Sequence, residues 1–142
     1  MFNRVLVPID GSLEGYDIAD RAIELASLHE ATLYVVFIEV LAPGFAPGGI
    51  AQAPTEVTPP DGTDESAALE HVAELAADAG VNCKTTSKRG ERHLAILNAA
   101  ADARADLIII QAPQRRLWQR LPVTTADRVV RQAETSVLMV QF

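Results

Sequence analysis

Apolar residues in this chain follow two alternating rhythms. Runs of strand length span Arg4 to Ile9, Thr32 to Glu39, Val81 to Ser87, Asp106 to Gln111 and Ser136 to Phe142. Between them, apolar positions recur at the spacing of a single helix face: Ile18, Ala22, Leu25 and Ala26, then Leu69, Val72, Ala73 and Ala76. Leu94, Leu97 and Ala101 give a third stripe, and Ala126, Val129, Val130 and Ala133 a fourth. Strands that alternate strictly with helices predict an α/β fold, a parallel sheet with helices on both faces.

The strands differ in ways that predict their places. Val5-Leu6-Val7, Leu33 to Ile38 and Leu107 to Ile110 are almost wholly apolar, as strands covered on both faces must be, and belong in the middle. Asn82 to Lys88 is polar with flanking lysines, the pattern by which edge strands discourage unwanted pairing. Val137 to Phe142 is apolar yet ends the sequence; at an edge it needs cover, which a second copy of the chain can supply.

One stretch breaks the rhythm. Leu41 to Thr63 holds five of the eight prolines and four of the eight glycines, with no charge before Glu56. It exceeds the roughly 2–6 residues of an ordinary βα connection. Composition leaves three readings open: a tolerated insertion, a lid, or a surface that docks a partner.

Length and charge narrow the function classes. A chain of 142 residues predicts one domain spanning 1–142, and 49% hydrophobic with 22% charged residues is an ordinary globular balance. Twelve basic against nineteen acidic side chains give a net charge of −7, opposite to the footprint that a phosphate backbone requires, so nucleic acid is not an expected partner. No apolar run approaches the ~20 residues of a membrane span. With the single Cys83 and no secretory pattern after Met1, the expectation is a cytoplasmic protein.

In an open parallel sheet, ligands bind beyond the carboxyl ends of strands where the strand order reverses. Two segments qualify. Pro8-Ile9-Asp10-Gly11-Ser12 ends the first strand: Gly11 permits a sharp turn, Ser12 can cap the next helix, and Asp10 stands at the cleft mouth. Asp10 either accepts hydrogen bonds from a ligand or braces the turn through backbone N–H groups. Gln111 to Arg116 ends the fourth apolar strand. No phosphate-binding glycine motif, hydrolase elbow or zinc-protease motif is present, since in Gly11-Ser12-Leu13-Glu14-Gly15 the serine directly follows the glycine. His29, His71 and His93 fall in separate helices without ligand spacing and read as surface or helix-terminal residues, so no metal is expected. Cys83 reads as a small filler, with a reactive thiol as the alternative.

Taken in order, Pro8-x-Asp10-Gly11-Ser12, Gly90 before an Ile/Leu/Ala-rich helix, Ala105 to Ile110, and Arg131-Gln132-Ala133 followed by Val137 to Val140 resemble the universal stress protein family over nearly the whole chain. The resemblance implies a Rossmann-like five-stranded parallel sheet in the order 3-2-1-4-5. It also implies a homodimer paired through Ser136 to Phe142. One branch of that family binds ATP through a signature resembling G-x2-G-x9-G-[ST] after strand four. Here Gln111 and Gln114 replace its first two glycines, and the stretch is one residue short, so Val123-Thr124 or Thr124-Thr125 stands at the last pair. Glutamine side chains crowd a cradle in which phosphate must approach backbone N–H groups, and Pro113 lacks an N–H.

The sequence is thus similar to the UspA-like branch, which lacks the glycine signature. It implies a non-catalytic stress-response protein without a cofactor, working through protein partners. The alternative is an ATP-binding switch: Thr124 or Thr125 caps the last helix, and Arg115, Arg116 and Arg120 add cations to the same loop. The plainer reading of those arginines is a solvated surface run that pairs with the acidic remainder of the chain. Trp118 reads as a packing or dimer anchor rather than a base-stacking platform. The cleft residues implied are Pro8, Asp10, Val40, Gln111, Gln114, Thr124 and Thr125, with Thr124, Thr125 and Ser12 as candidate phosphorylation sites.

Overall fold

The central strand β1 (Arg4–Ile9) is flanked on both sides. It pairs in parallel with β2 (Thr32–Phe45) on one side and with β5 (Leu107–Gln111) on the other. In a computed structural model that describes residues 1–45, 51–56, 65–113 and 123–141, the chain runs from β1 through helix α1 (Leu13–His29) into β2. It continues through β3 (Ala51–Glu56), α2 (Glu65–Asp78), β4 (Cys83–Gly90) and α3 (Arg92–Ala103) into β5. Helix α4 (Thr125–Gln132) and β6 (Ser136–Val140) follow. The parallel strands lie in the order β4-β2-β1-β5-β6, which is the 3-2-1-4-5 order once β3 is set aside.

Alternation along the central strands sorts the core into two layers. Val5, Val7 and Ile9 join Leu33, Val35, Phe37, Leu107 and Ile109 against α1 and α2. Leu6 joins Val36, Ile38, Ile108 and Ile110 against α3 and α4. Polar bonds hold the amino end of β1 beside β5: the Asp106 carboxylate accepts from the backbone N–H of Asn3 at 2.8 Å and of Arg4 at 2.9 Å. At the outer edges, β4 is largely exposed and β6 leaves Leu138 and Met139 41% and 44% exposed, as the polar and terminal strands were expected to lie.

Three expectations are corrected. The proline-rich stretch is not all loop: β2 runs on to Phe45, and Leu41 to Phe45 pairs antiparallel with β3. β4 ends at Gly90, paired with Val40, so the continuing edge of β2 takes a new partner where the old one leaves. The register shifts between Ala42 and Gly44, around Pro43, which has no N–H for the ladder. The third parallel strand starts later and ends later than Val81 to Ser87, because the Val81 N–H is bonded to the Ala76 carbonyl at the end of α2. Helix α3 turns a different face inward: Ile96, Ala99, Ala100 and Ala103 are buried, while Leu94 is 45% exposed. Leu97 packs partly buried against this layer, but Leu94 and Ala101 are exposed, and small alanines let the helix lie close to the sheet.

Leu6 is fully buried at the centre of the layer beneath α3 and α4. Leu6→Ala should cost about 2–5 kcal/mol, read as a lower urea midpoint with an unchanged slope; a loss below about 1 kcal/mol would mean that this layer repacks freely.

Candidate functional site

From β1 the chain winds to β2 and β4 with α1 and α2 on one face, and its later half returns to β5 and β6 with α3 and α4 on the other. Connections from β1 and β5 therefore leave on opposite faces, and a crevice opens between their carboxyl ends. It holds a cleft of about 560 Å³, within the range of small-ligand sites. Ile18, Ile38, Ile96, Ile110 and Ala126 supply apolar surface, while Asp10, Ser12, Glu14, Arg92, Gln111, Thr124 and Thr125 supply polar groups.

Asp10 is positioned by the turn that follows β1. Gly11 adopts a φ of +82°, a conformation that glycine takes without strain, and swings the chain back toward the sheet. Asp10 Oδ1 accepts the Ser12 N–H at 2.9 Å, and Ser12 Oγ, at the N-cap of α1, accepts the Gly15 N–H at 3.1 Å. Gly15 lets the carboxylate sit this close: a Cβ there would stand 3.2 Å from Asp10 Oδ1 and 3.4 Å from Ser12 Oγ. Partial burial acts to raise the Asp10 pKa. The hydrogen bonds from Ser12 and the guanidinium of Arg92 outweigh it and hold the group below the ordinary aspartate range. Asp10 both braces the turn and remains an ionised acceptor facing the cleft.

Across the crevice, Thr124 caps α4. Its hydroxyl accepts the Asp127 N–H at 3.2 Å, and Asp127 Oδ2 accepts the Thr124 N–H at 3.0 Å, a reciprocal capping box. The backbone and side-chain bonds from Thr124 lower the Asp127 pKa, against a smaller opposing effect of burial. Of the residues expected in the cleft, Pro8, Asp10, Gln111, Thr124 and Thr125 line it together. Val40 pairs with the last residue of β4 and does not line it. Gln114, Arg115, Arg116, Trp118 and Arg120 lie outside the described residues.

Sequence reasoning passed over Arg92, whose guanidinium reaches within 3.5 Å of Asp10 Oδ2. No local signal singled it out: it follows the N-cap Glu91 after the strand that ends at Gly90, and its contact is with a residue 82 positions away. His93 is helix-terminal, as expected, and only 7% exposed, with Nδ1 3.5 Å from Glu91 Oε1. His29 ends α1, and His71 lies exposed on α2 against the Tyr16 ring. Cys83 packs partly buried against the α1 and α2 layer, where burial pushes its thiol pKa up.

Residues 1–141 match the universal stress protein family. The chain belongs to that family. It is 26% identical, over 99% of its own length and 83% of the relative's, to the universal stress protein MJ0531 of Methanocaldococcus jannaschii. Among solved structures it is similar to a universal stress protein in complex with cAMP, with a TM-score of 0.73 and 22% identity over 99% of this chain and 97% of that one. It is likewise similar to the Archaeoglobus fulgidus universal stress protein in complex with dAMP, with a TM-score of 0.64 and 18% identity over 98% and 97% of the two chains. These likenesses place its fold with the Rossmann-like universal stress proteins. Among the described residues of this family member, no helix is long and apolar enough to cross a membrane.

The lowered Asp10 pKa fixes a sign. Its contribution to stability is complete above the ordinary aspartate value and is lost as pH falls through the lower folded value. Asp10→Asn should therefore flatten the fall in unfolding free energy between about pH 5 and pH 2, measured by urea denaturation at each pH. A profile identical to the parent protein's would show that Asp10 is not held ionised by its turn.

Proposed function

We propose that this universal stress protein is a non-catalytic regulatory protein whose cleft takes an adenine mononucleotide and does not hold ATP in the usual way. The observation that carries this reading is the cleft between β1 and β5, where an ionised Asp10 faces the capped start of α4. An acceptor at the end of β1 suits sugar hydroxyls, and the helix starts that rim the cleft suit one phosphate. The fold neighbours in complex with cAMP and dAMP support the same ligand class. Against a triphosphate stands the segment from Gln111 to Thr125, which contains no glycine and two prolines. A longer phosphate chain needs backbone that it can approach without a Cβ, and this segment does not supply it. Pro8, Asp10, Gln111, Thr124 and Thr125 form the site in this reading, and its output passes to a protein partner in the cytoplasm.

The protein works as a homodimer paired along β6. The support is a terminal edge strand presenting Leu138 and Met139 to solvent, an arrangement that invites antiparallel pairing with a second copy.

Calorimetric titration with AMP, cAMP and magnesium ATP tests the ligand. The expected outcome is saturable binding of a monophosphate, with ATP weaker by about tenfold or more. Silence from all three at millimolar concentration removes the nucleotide reading, and ATP as the tightest ligand removes the distinction drawn from the missing glycines. Sedimentation tests the assembly: Leu138→Asp, at an exposed position, should convert dimers to monomers without lowering the melting temperature by more than a few degrees. A variant that remains dimeric would show that β6 is not the interface.

A further inference from the structure

Arg92 is out of place by the ordinary rules of helix ends. It is the first residue of α3, where the partial positive charge of the helix start disfavours a cation, and the first turn holds no acidic residue. Glu91, the N-cap, makes no side-chain capping bond. Its Oε1 instead accepts from Arg128 of α4 at 3.1 Å and lies 3.5 Å from His93 Nδ1, so that carboxylate is committed elsewhere. Arg92 reaches toward Asp10 Oδ2, and the 3.5 Å pair is loose, with side chains 45% and 33% exposed. Asp10 Oδ1 is held by the turn, so Oδ2 is the oxygen left open to a ligand. Among the described residues lining the cleft, Arg92 is the cation, set against the carboxylates of Asp10 and Glu14. A residue that breaks a local rule at the rim of a concave site marks function more often than stability.

We propose that Arg92 is the residue that reads the anionic group of the cleft's ligand: its guanidinium leaves Asp10 for the phosphate of a nucleoside monophosphate, and the released Oδ2 accepts a hydrogen bond from a sugar hydroxyl. The inference rests on the reading of the cleft as a nucleotide site and adds to it the specificity determinant for a phosphate over none. A planar guanidinium matches two phosphate oxygens at once, which the single-point contact to Asp10 does not use. The phosphate also brings to the start of α3 the negative charge that its first turn lacks. A neutral nucleoside satisfies Asp10 and gives Arg92 nothing in return for the broken pair.

Titration calorimetry of the full chain with adenosine and with AMP, on the parent protein, Arg92→Gln and Arg92→Lys, tests this. The parent protein should bind AMP about tenfold or more tighter than adenosine. Arg92→Gln should lose about tenfold or more in AMP affinity while adenosine changes by less than about threefold, bringing the two ligands close together. Arg92→Lys, which keeps the charge without the fork, should restore part of the preference. Retention of the parent preference for AMP in Arg92→Gln overturns the role of Arg92 and leaves the nucleotide reading intact. So does equal binding of the two ligands by the parent protein. If the parent protein binds neither ligand at millimolar concentration, the nucleotide reading falls and this inference falls with it.

Discussion

A strand buried between two parallel neighbours, with its connections leaving on opposite faces, cannot have both sides of its carboxyl end covered. β1 is that strand here: β2 lies on one side under α1, and β5 on the other is reached through α3 on the opposite face. The helices that bury the two apolar layers must begin apart from each other at this end of the sheet. What remains is a concavity floored by core isoleucines and rimmed by helix starts, whose backbone N–H groups have no partners within the helix. The cleft is therefore not an addition to the fold. It is the space that doubly wound packing leaves, and its chemistry depends on which side chains stand where β1, α3 and α4 meet it.

Those side chains serve local structure first. Asp10 and Ser12 close the turn into α1, Thr124 and Asp127 close the start of α4, and Glu91 ties α3 to α4 through Arg128. The turn and cap bonds each satisfy a backbone donor, and the half-exposed Glu91–Arg128 pair joins two charges across the helices. The same bonds fix the polar groups in position before any ligand arrives, which lowers the cost of ordering them on binding. Only the contact between Asp10 and Arg92 is both charged and loosely made. Parting it leaves no backbone group exposed.

Much of this was legible in the sequence, and the limits have physical causes. The central strands could be read because burial on both faces demands unbroken apolar runs, as in Val5-Leu6-Val7 and Leu107 to Ile110. The edge position of β4 followed from its lysines, and the turn at Gly11 from the need for positive φ. The inward face of α3 was misread because large residues draw the eye to Leu94, whereas close packing on the sheet selects alanine. The pairing of β2 with β3 was missed because proline and glycine ordinarily argue against strands. Arg92 was missed for another reason: its meaning lies in a contact with a residue 82 positions away, which no local pattern encodes.

Charge carries the argument from geometry to ligand. The chain has a net charge of −7, and the cleft's described lining sets two carboxylates against one guanidinium. At the start of α4, Asp127 already occupies part of the positive end of the helix through its bond with the Thr124 N–H. An incoming anion meets these fixed charges at short range, where the protein screens less than water does, and each further phosphate adds repulsion from the two carboxylates. Glycine-rich backbone would change that balance by supplying several N–H donors without added side chains, but the segment between Gln111 and Thr125 has none to give. Among the described residues, one cation and two capped helix starts face the cleft, a balance that favours a ligand of low negative charge with hydroxyl or ring donors. The same reasoning explains why the ion pair at its mouth is loose: a tight, fully buried pair between Asp10 and Arg92 would hold the crevice shut, whereas a half-exposed one is stable enough to keep both charges in place and weak enough to part.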